Sequence, residues 1–169
     1  MNTKTKIRPS LQWVCAKPWR FLAFGMGSGV IYPGPGTWGT VWGWLVWLVL
    51  LQHLPLWGVV LFLPLSFIVG VWLCQRTGDE LGVPDHSGMN WDEAVAFWLV
   101  LGCLPTSVWW MQVIAFVAFR VFDITKPPPI RYFDQRVKGG FGVMLDDLLA
   151  AGYALIVLYL IACIPGVLL

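Results

Sequence analysis

Charged residues are scarce in this chain, where Asp, Glu, Lys and Arg make up 12% of 169 residues and the formal net charge is only +2. So small a net charge gives no support for binding of nucleic acid. Hydrophobic residues reach 58%, twelve residues are Trp, and the mean hydropathy is +0.72. This composition excludes a disordered chain and an ordinary soluble protein. It predicts one membrane-embedded, all-α domain comprising residues 1–169.

The chain also lacks the signatures of several kinds of site. Without a CxxC pair, its cysteines support neither a disulfide framework nor a zinc site, and we expect small packing residues. No CX₅R loop, DxDx(T/V) motif or GxSxG elbow marks a nucleophile. No secretory signal peptide is expected, because a polar stretch of about 35 residues precedes the first hydrophobic run. The four cysteines are Cys15, Cys74, Cys103 and Cys163.

Hydrophobic runs predict about five helical spans, some of them short or tilted. The second and the last are long enough to cross a hydrocarbon core about 30 Å thick. The third and fourth are short, so we expect them to tilt or to extend into flanking polar residues. The predicted spans are residues 40–54, 56–74, 94–104, 108–121 and 148–169.

The basic residues predict an orientation. All eleven Lys and Arg residues lie before the first span, just after the second, or at and after the end of the fourth. The connections after the first and third spans carry no charge. Five spans therefore place every charge on one face, and the positive-inside rule makes that face cytoplasmic.

The segment before the first span is predicted to be interfacial and then irregular. Residues 19–24 fit a short amphipathic helix in the membrane interface. Residues 25–40 hold so many glycines and prolines that we expect no regular helix there. Backbone N–H groups of this stretch, with the hydroxyls of Ser28 and Thr37, would suit an anion such as phosphate. A tight packing turn fits the same residues equally well.

All nine acidic residues lie between Asp79 and Asp147, in two polar segments between hydrophobic runs. Carboxylates at a lipid boundary are costly unless compensated, and they tend to be functional. Four of them form the pairs Asp92-Glu93 and Asp146-Asp147, each followed by apolar sequence. The helix dipole alone would explain acids in one first turn. Two such pairs on one face favour a shared site for one or two Mg²⁺ ions.

A third group combines Arg120, Asp123 and Lys126, whose spacing places them on one face if the helix continues. A salt-bridged helix end is one interpretation. The other starts from the prolines at 127–129, which end the helix. Lys126 would then be free to meet a phosphate, while Asp123 would join the metal site.

Other polar residues leave alternatives open. His86 would be a general acid, a partner of a metal ligand, or a surface loop residue. Arg131 would bind phosphate or a lipid headgroup, or lie solvated at the interface. His53 is expected to be structural. The glycines of residues 138–142 predict a flexible approach to Asp146.

Together and in order, these motifs resemble the phosphatidylglycerophosphatase A family of bacterial membrane phosphatases. The resemblance extends from Gly25 to Asp147 and leaves residues 1–20 and the last span unmatched. The matching pieces are Gly25-Met-Gly-Ser-Gly29, Pro35-Gly-Thr-Trp-Gly-Thr40, Asp85-His86 with Trp91-Asp-Glu93, Phe119-Arg-Val-Phe-Asp123-Ile-Thr-Lys-Pro127, Pro129-Ile-Arg-Tyr-Phe-Asp134 and Gly139-Gly-Phe-Gly-Val-Met-Leu-Asp-Asp147.

The resemblance implies Mg²⁺-dependent removal of the terminal phosphate from phosphatidylglycerophosphate at the cytoplasmic face of the bacterial inner membrane. The phospholipid substrate and the bilayer are then the expected partners. The predicted metal ligands are Asp92, Glu93, Asp123, Asp146 and Asp147. The predicted catalytic residues are these five with His86 and Lys126. The predicted substrate-binding residues are Ser28, Thr37, Arg120, Lys126 and Arg131.

Two other functions fit parts of the sequence. A CDP-alcohol phosphatidyltransferase also uses acidic residues and Mg²⁺ at a membrane face, but its DG…AR…G…D…D pattern is absent from any single span here. A Mg²⁺ channel or transporter subunit would need carboxylates along a path through the membrane, whereas these cluster at one face. Measurement of phosphate release by the purified protein separates the three hypotheses.

Overall fold

The computed structural model describes residues 8–164, and within that range it contains α-helices and no β-strand. The predicted all-α architecture is therefore confirmed for these residues. Lys4, Lys6 and the end of the predicted fifth span lie outside the described residues. The α-helices are α1 (Leu11–Cys15), α2 (Pro18–Ala23), α3 (Pro35–Val49), α4 (Leu56–Leu81), α5 (Trp91–Gly102), α6 (Trp109–Thr125), α7 (Ile130–Arg136) and α8 (Gly139–Ala162). Two short 3₁₀ segments lie before and after α3: Gly25–Val30, which is kinked at Met26 (φ 53°) and Gly27 (φ 97°), and Leu51–His53.

Helix α3 begins earlier than the glycine and proline content suggests. Pro35 occupies the first turn of α3, where backbone N–H groups have no partner within the helix, so the N–H that proline lacks is not missed. Gly34 precedes it in the left-handed conformation (φ 74°). The prediction that residues 25–40 contain no regular helix is thus wrong for the part that follows Gly34. As a result, Gly36 and Thr40 lie one turn apart on a rigid helix.

Helices α4 and α8 extend past their predicted cytoplasmic limits. Helix α4 continues to Leu81 and ends at Gly82, whose φ of 67° suits the left-handed helix cap. Helix α8 begins at Gly139, so the flexible approach predicted for residues 138–142 is wrong. Asp146 and Asp147 lie well inside α8 rather than in its first turn, and the helix dipole does not account for them.

Two of these helices, α4 with 26 residues and α8 with 24, are long and apolar enough to cross a membrane. The other predicted spans are also helical, but α3, α5 and α6 have 15, 12 and 17 residues. Their lengths are short for a crossing perpendicular to the bilayer. Helix length therefore supports two spans directly.

Helix α5 is the centre of the fold, and most of its side chains are buried between α3, α4, α6 and α8. The indole N–H of Trp98 donates to the Gly43 carbonyl of α3 at 2.7 Å. A Cβ on Gly43 would lie 2.9 Å from Ala94 Cα, so glycine is what lets the two backbones approach. Small residues at helix contacts serve this purpose in membrane proteins.

The N-terminal helices pack on the C-terminal end of α4. Arg20 Nε lies 2.6 Å from Glu80 Oε2, and the guanidinium stacks on the Trp13 ring at 3.9 Å. Phe24 is buried beside Leu73. Helix α2 matches the short helix predicted at residues 19–24, while its position in the membrane interface stays a prediction.

The cysteines are unpaired in the described residues. Cys74 is buried, as the packing interpretation requires, but Cys15, Cys103 and Cys163 are exposed. The packing interpretation is therefore right for Cys74 alone. No pair of cysteines forms a disulfide in this part of the chain, in line with the sequence.

Candidate metal and phosphate site

Three carboxylates from two helices converge at one end of the bundle. Asp92 and Glu93 occupy the first turn of α5, and Asp147 projects from α8. One oxygen from each lies within 4.8 Å of the others, and all three residues are buried. The Trp91 indole donates to the Ser66 carbonyl of α4 at 3.1 Å, which fixes the start of α5. The three carboxylates are therefore held together by packed helices rather than by loops.

The three carboxylates have unmet bonding capacity. Asp92 Oδ1, Glu93 Oε2 and Asp147 Oδ2 are buried without a hydrogen-bond partner among the described residues. Burying three carboxylates so close together is costly for their charged forms, because each loses hydration and repels the others. A cation would remove this cost, and an all-oxygen, anionic donor set suits a hard ion such as Mg²⁺.

Arg120 contacts this carboxylate cluster from α6. Its Nη1 lies 2.7 Å from Asp123 Oδ2, 3.7 Å from Glu93 Oε1 and 3.3 Å from the Thr40 hydroxyl. Arg120 and Asp123 therefore share a face of α6, as their spacing predicts. Asp123, a predicted metal ligand, lies beside the cluster with an arginine as its ion-pair partner.

Lys126 lies beside the carboxylate cluster and makes contacts that the sequence did not indicate. Helix α6 ends at Thr125, and Lys126 turns away in the left-handed conformation (φ 43°). Its ammonium contacts Asp146 and lies 2.8 Å from Asp134 Oδ1. Burial opposes the charge, but the hydrogen bonds to Asp134 and Asp146 outweigh it and raise the pKa of Lys126 above its usual range.

The expectation of a free Lys126 ammonium is therefore wrong. Helix α7 folds back after the prolines and brings Asp134 to it, a contact that local sequence spacing does not show. The other interpretation, a salt-bridged helix end, does form, but the ion pair joins Asp123 to Arg120 and leaves Lys126 out. Asp146, another predicted metal ligand, lies at the edge of the cluster as a partner of Lys126.

His86 is buried, so its interpretation as a surface loop residue is wrong. Its Nδ1 accepts a hydrogen bond from the Gly88 N–H at 3.0 Å, and its ring packs on Phe24. Arg131 is exposed on α7 and is not part of the carboxylate cluster. His53 is exposed at the end of its 3₁₀ helix, and its structural role stays a prediction. The catalytic role of His86 and the phosphate-binding role of Arg131 stay predictions.

Ser28 and Thr37, the hydroxyls predicted to bind an anion, lie in different surroundings. The Ser28 hydroxyl accepts from the Asn90 side-chain amide at 2.9 Å, which ties the Gly25–Val30 segment to the start of α5. Thr37 lies in the first turns of α3 and, with Arg120, lines a groove between α3 and α6. An anion at either hydroxyl stays a prediction.

Three uncharged residues of the site were given no role from the sequence, although Gly36 and Thr40 lie in one of the matched motifs. Gly36 lies so close to Glu93 that a Cβ there would be 2.1 Å from Oε1. The buried Thr40 hydroxyl donates to the Gly36 carbonyl at 3.0 Å and accepts from Arg120. Asn90 is fully buried and also bonds the Pro35 carbonyl at 3.3 Å. Gly36 and Thr40 are four residues apart, a spacing that places them on one helix face, but this indicates a shared site only if the stretch is already taken as a helix.

Comparison with known proteins points to one family. The family model for Phosphatidylglycerophosphatase A matches residues 21–162. A Haemophilus influenzae protein named Phosphatidylglycerophosphatase A is 46% identical over 144 residues, covering 85% of this chain and 88% of that protein. An Escherichia coli protein of the same name is 39% identical over 155 residues, covering 86% and 84%. A Bacteroides thetaiotaomicron protein, provisionally named phosphatidylinositol-3-phosphatase, is 35% identical over 140 residues, covering 79% and 87%. No solved structure matches the chain.

Proposed function

The chain belongs to the phosphatidylglycerophosphatase A family and is a phosphatidylglycerophosphate phosphatase, and from this premise we propose that its hydrolysis depends on Mg²⁺ held by Asp92, Glu93 and Asp147. Three buried carboxylates carry this proposal, because one oxygen from each lies within 4.8 Å of the others and each side chain also has an oxygen without a hydrogen-bond partner among the described residues. The family membership favours phosphomonoester hydrolysis over the phosphatidyltransferase and Mg²⁺ channel hypotheses.

The charge balance of the site supports a bound cation. Within residues 8–164, the ion pairs of the five carboxylates of Asp92, Glu93, Asp123, Asp146 and Asp147 involve two cations, Arg120 and Lys126, and Lys126 also pairs with Asp134. A phosphomonoester dianion would add to this excess of negative charge. A bound Mg²⁺ supplies the positive charge that offsets the dianion and makes phosphorus open to attack.

The protein's own residues orient the substrate. Arg120 presents a planar guanidinium suited to two phosphate oxygens, and its hydrogen bonds to Thr40 and Asp123 hold it in place before substrate arrives. Lys126 holds Asp146 at the opposite side of the cluster. In this arrangement Asp123 and Asp146 set the positions of the two cations, while Asp92, Glu93 and Asp147 hold the metal.

We propose further that the chain is a multi-pass protein of the bacterial inner membrane, with α3, α4, α5, α6 and α8 as its spans. The connections Leu50–Pro55 and Cys103–Val108 carry no Asp, Glu, Lys or Arg, whereas the ion pairs found among residues 8–164 lie at the other ends of these helices. The positive-inside rule places that charged end, with the carboxylate cluster, in the cytoplasm. A lipid phosphate reaches this depth while its acyl chains stay in the bilayer.

The test is release of inorganic phosphate from phosphatidylglycerophosphate by the purified protein in detergent. EDTA should abolish turnover and Mg²⁺ should restore it. Asp147→Asn, which keeps the side-chain shape but removes the charge, should lower turnover at least a hundredfold at fixed Mg²⁺. Phosphatidylinositol 3-phosphate, offered in parallel, tests the substrate named for the Bacteroides relative. Full turnover in EDTA, or in Asp147→Asn, would contradict the metal proposal.

A further inference from the structure

A groove of about 300 Å³ between α3 and α6 opens beside the carboxylate cluster. Its wall is apolar apart from one charged residue and a few hydroxyls. Among the residues that line it are Thr37, Phe116, Val117, Arg120, Val121 and Ile124. The α6 residues extend from Phe116 to Thr125, a helical rise of about 14 Å. The groove therefore joins the site described above to the outer surface of the bundle.

We propose that this groove receives an acyl chain of the phospholipid substrate, and that Arg120 within it binds the bridging phosphodiester of the headgroup. The inference rests on the proposed function and adds how the enzyme selects a lipid over a water-soluble phosphomonoester. The terminal phosphate then reaches the carboxylates, while the second phosphate of the same headgroup meets Arg120.

The first support is the combination of surfaces that the groove offers. Val117, Val121 and Ile124 are exposed on the outer side of α6 and form an apolar surface along which an acyl chain can lie, whereas a water-soluble phosphomonoester has no group to contact it. Arg120 adds a fixed positive charge within the same wall. An apolar surface with one guanidinium matches a molecule that carries an apolar tail next to an anionic phosphate.

The second support is the continuity between the groove and the site. Arg120 Nη1 lies 3.7 Å from Glu93 Oε1, so a phosphate on the groove side of Arg120 is next to the carboxylate cluster. A second apolar cleft, about 320 Å³ between α4, α5 and α8, is lined by residues such as Leu63, Phe67 and Leu99 and has no charged lining residue. That cleft has no group that would recognise a phosphate.

The test compares two substrates that carry the same headgroup. One is phosphatidylglycerophosphate, and the other is its deacylated form, which keeps both phosphates but has no acyl chain. Val121→Trp places an indole in the groove. We expect it to lower kcat/KM for the lipid, relative to kcat/KM for the deacylated form, at least tenfold and mainly through KM. Val117→Trp should do the same, which keeps the test valid if one variant does not fold.

Two control variants separate the groove from general damage. Val113→Trp changes a residue of the same helix with similar exposure, 40% against 49% for Val121, that does not line the groove. Ile68→Trp fills the uncharged cleft instead. Neither should change the ratio of the two kcat/KM values by more than about twofold, equivalent to ~0.4 kcal/mol. An equal effect of Val121→Trp and Val113→Trp would overturn the proposal.

Cross-linking gives a readout that does not depend on activity. A phosphatidylglycerophosphate with a photoreactive diazirine in one acyl chain should label α6 residues of the groove, and excess unlabelled substrate, but not phosphatidylcholine, should suppress that labelling. Labelling confined to the α4–α5–α8 cleft would overturn the inference while leaving the phosphatase intact. Absence of phosphate release by the wild-type protein would instead defeat the proposed function itself.

Discussion

Gly36→Ala is the sharpest single perturbation of the site, because it adds one methyl group where two helices meet the carboxylates. The new Cβ would lie 2.1 Å from Glu93 Oε1 and 3.1 Å from Arg120 Nη2, whereas ordinary contacts begin at 3.4 Å. The Glu93 oxygen must therefore move by about 1.3 Å, or α3 must shift away from α5.

The expected effects on stability and on activity differ in size. Alanine is favoured over glycine in a helix interior by about 1 kcal/mol, and overpacking costs about 1–3 kcal/mol, so the net loss of stability should be about 0–2 kcal/mol. A displacement of about 1 Å at a catalytic group costs roughly a hundredfold in rate, or ~2.7 kcal/mol. We therefore expect kcat/KM to fall about a hundredfold in a protein that still folds.

Phosphate release and thermal unfolding in detergent, measured on the same samples, check this prediction. Gly152→Ala is the matched control, because it makes the same change in α8 at a position where the new Cβ meets nothing within 4 Å. It should keep full activity and gain up to ~1 kcal/mol of stability. Wild-type kcat/KM in Gly36→Ala would refute the close approach of α3 to Glu93.

Three further predictions concern groups around the cluster. Thr40→Val removes the hydroxyl that bonds Gly36 and Arg120, so it should lower the free energy of unfolding by ~1 kcal/mol, lower Tm by about 2–4 °C and raise KM. Thr40→Ser keeps the hydroxyl and should restore both stability and KM. Equal losses in the two variants would count against the hydrogen bonds. Lys126→Ala leaves Asp146 unpaired, so it should lower turnover at least tenfold and also lower the free energy of unfolding by ~1–3 kcal/mol. The control Lys138→Ala changes an exposed side chain and should lower neither quantity. Unchanged turnover in Lys126→Ala would exclude a role in the site. Single cysteines at Ser87 and Gln135, in a protein without the native cysteines, should react with an impermeant maleimide only after the inner membrane is opened, and labelling of intact spheroplasts would contradict the cytoplasmic assignment.

Much of the fold was predictable because it depends on local hydrophobicity. All five predicted hydrophobic runs are helical in the described residues, and proline and glycine mark several helix ends correctly. The limits of α8 were missed because glycines 140 and 142 are packing residues here: a Cβ on Gly140 would lie 2.0 Å from the Val71 carbonyl oxygen of α4. A contact between distant helices thus decides what local propensity alone assigns to a flexible segment.

The candidate site, like the fold, was predictable only in part. Asp92, Glu93 and Asp147 were predictable as a group, since buried carboxylates are costly and concentrate in functional sites. The partners of Lys126 and the burial of His86 were not predictable, because each depends on where a remote segment folds back. Gly36, Thr40 and Asn90 carry no charge, so composition does not distinguish them from ordinary packing residues.

The most direct test of a metal held by Asp92, Glu93 and Asp147 is titration of the purified, EDTA-stripped protein with Mn²⁺ as a spectroscopic substitute for Mg²⁺. The wild-type protein should bind the ion, and Asp92→Asn, Glu93→Gln and Asp147→Asn should each weaken binding at least tenfold, or ~1.4 kcal/mol. Asp79→Asn, which changes an exposed carboxylate of α4, should bind like the wild type. Wild-type affinity in all three site variants, with each protein folded, would contradict the account.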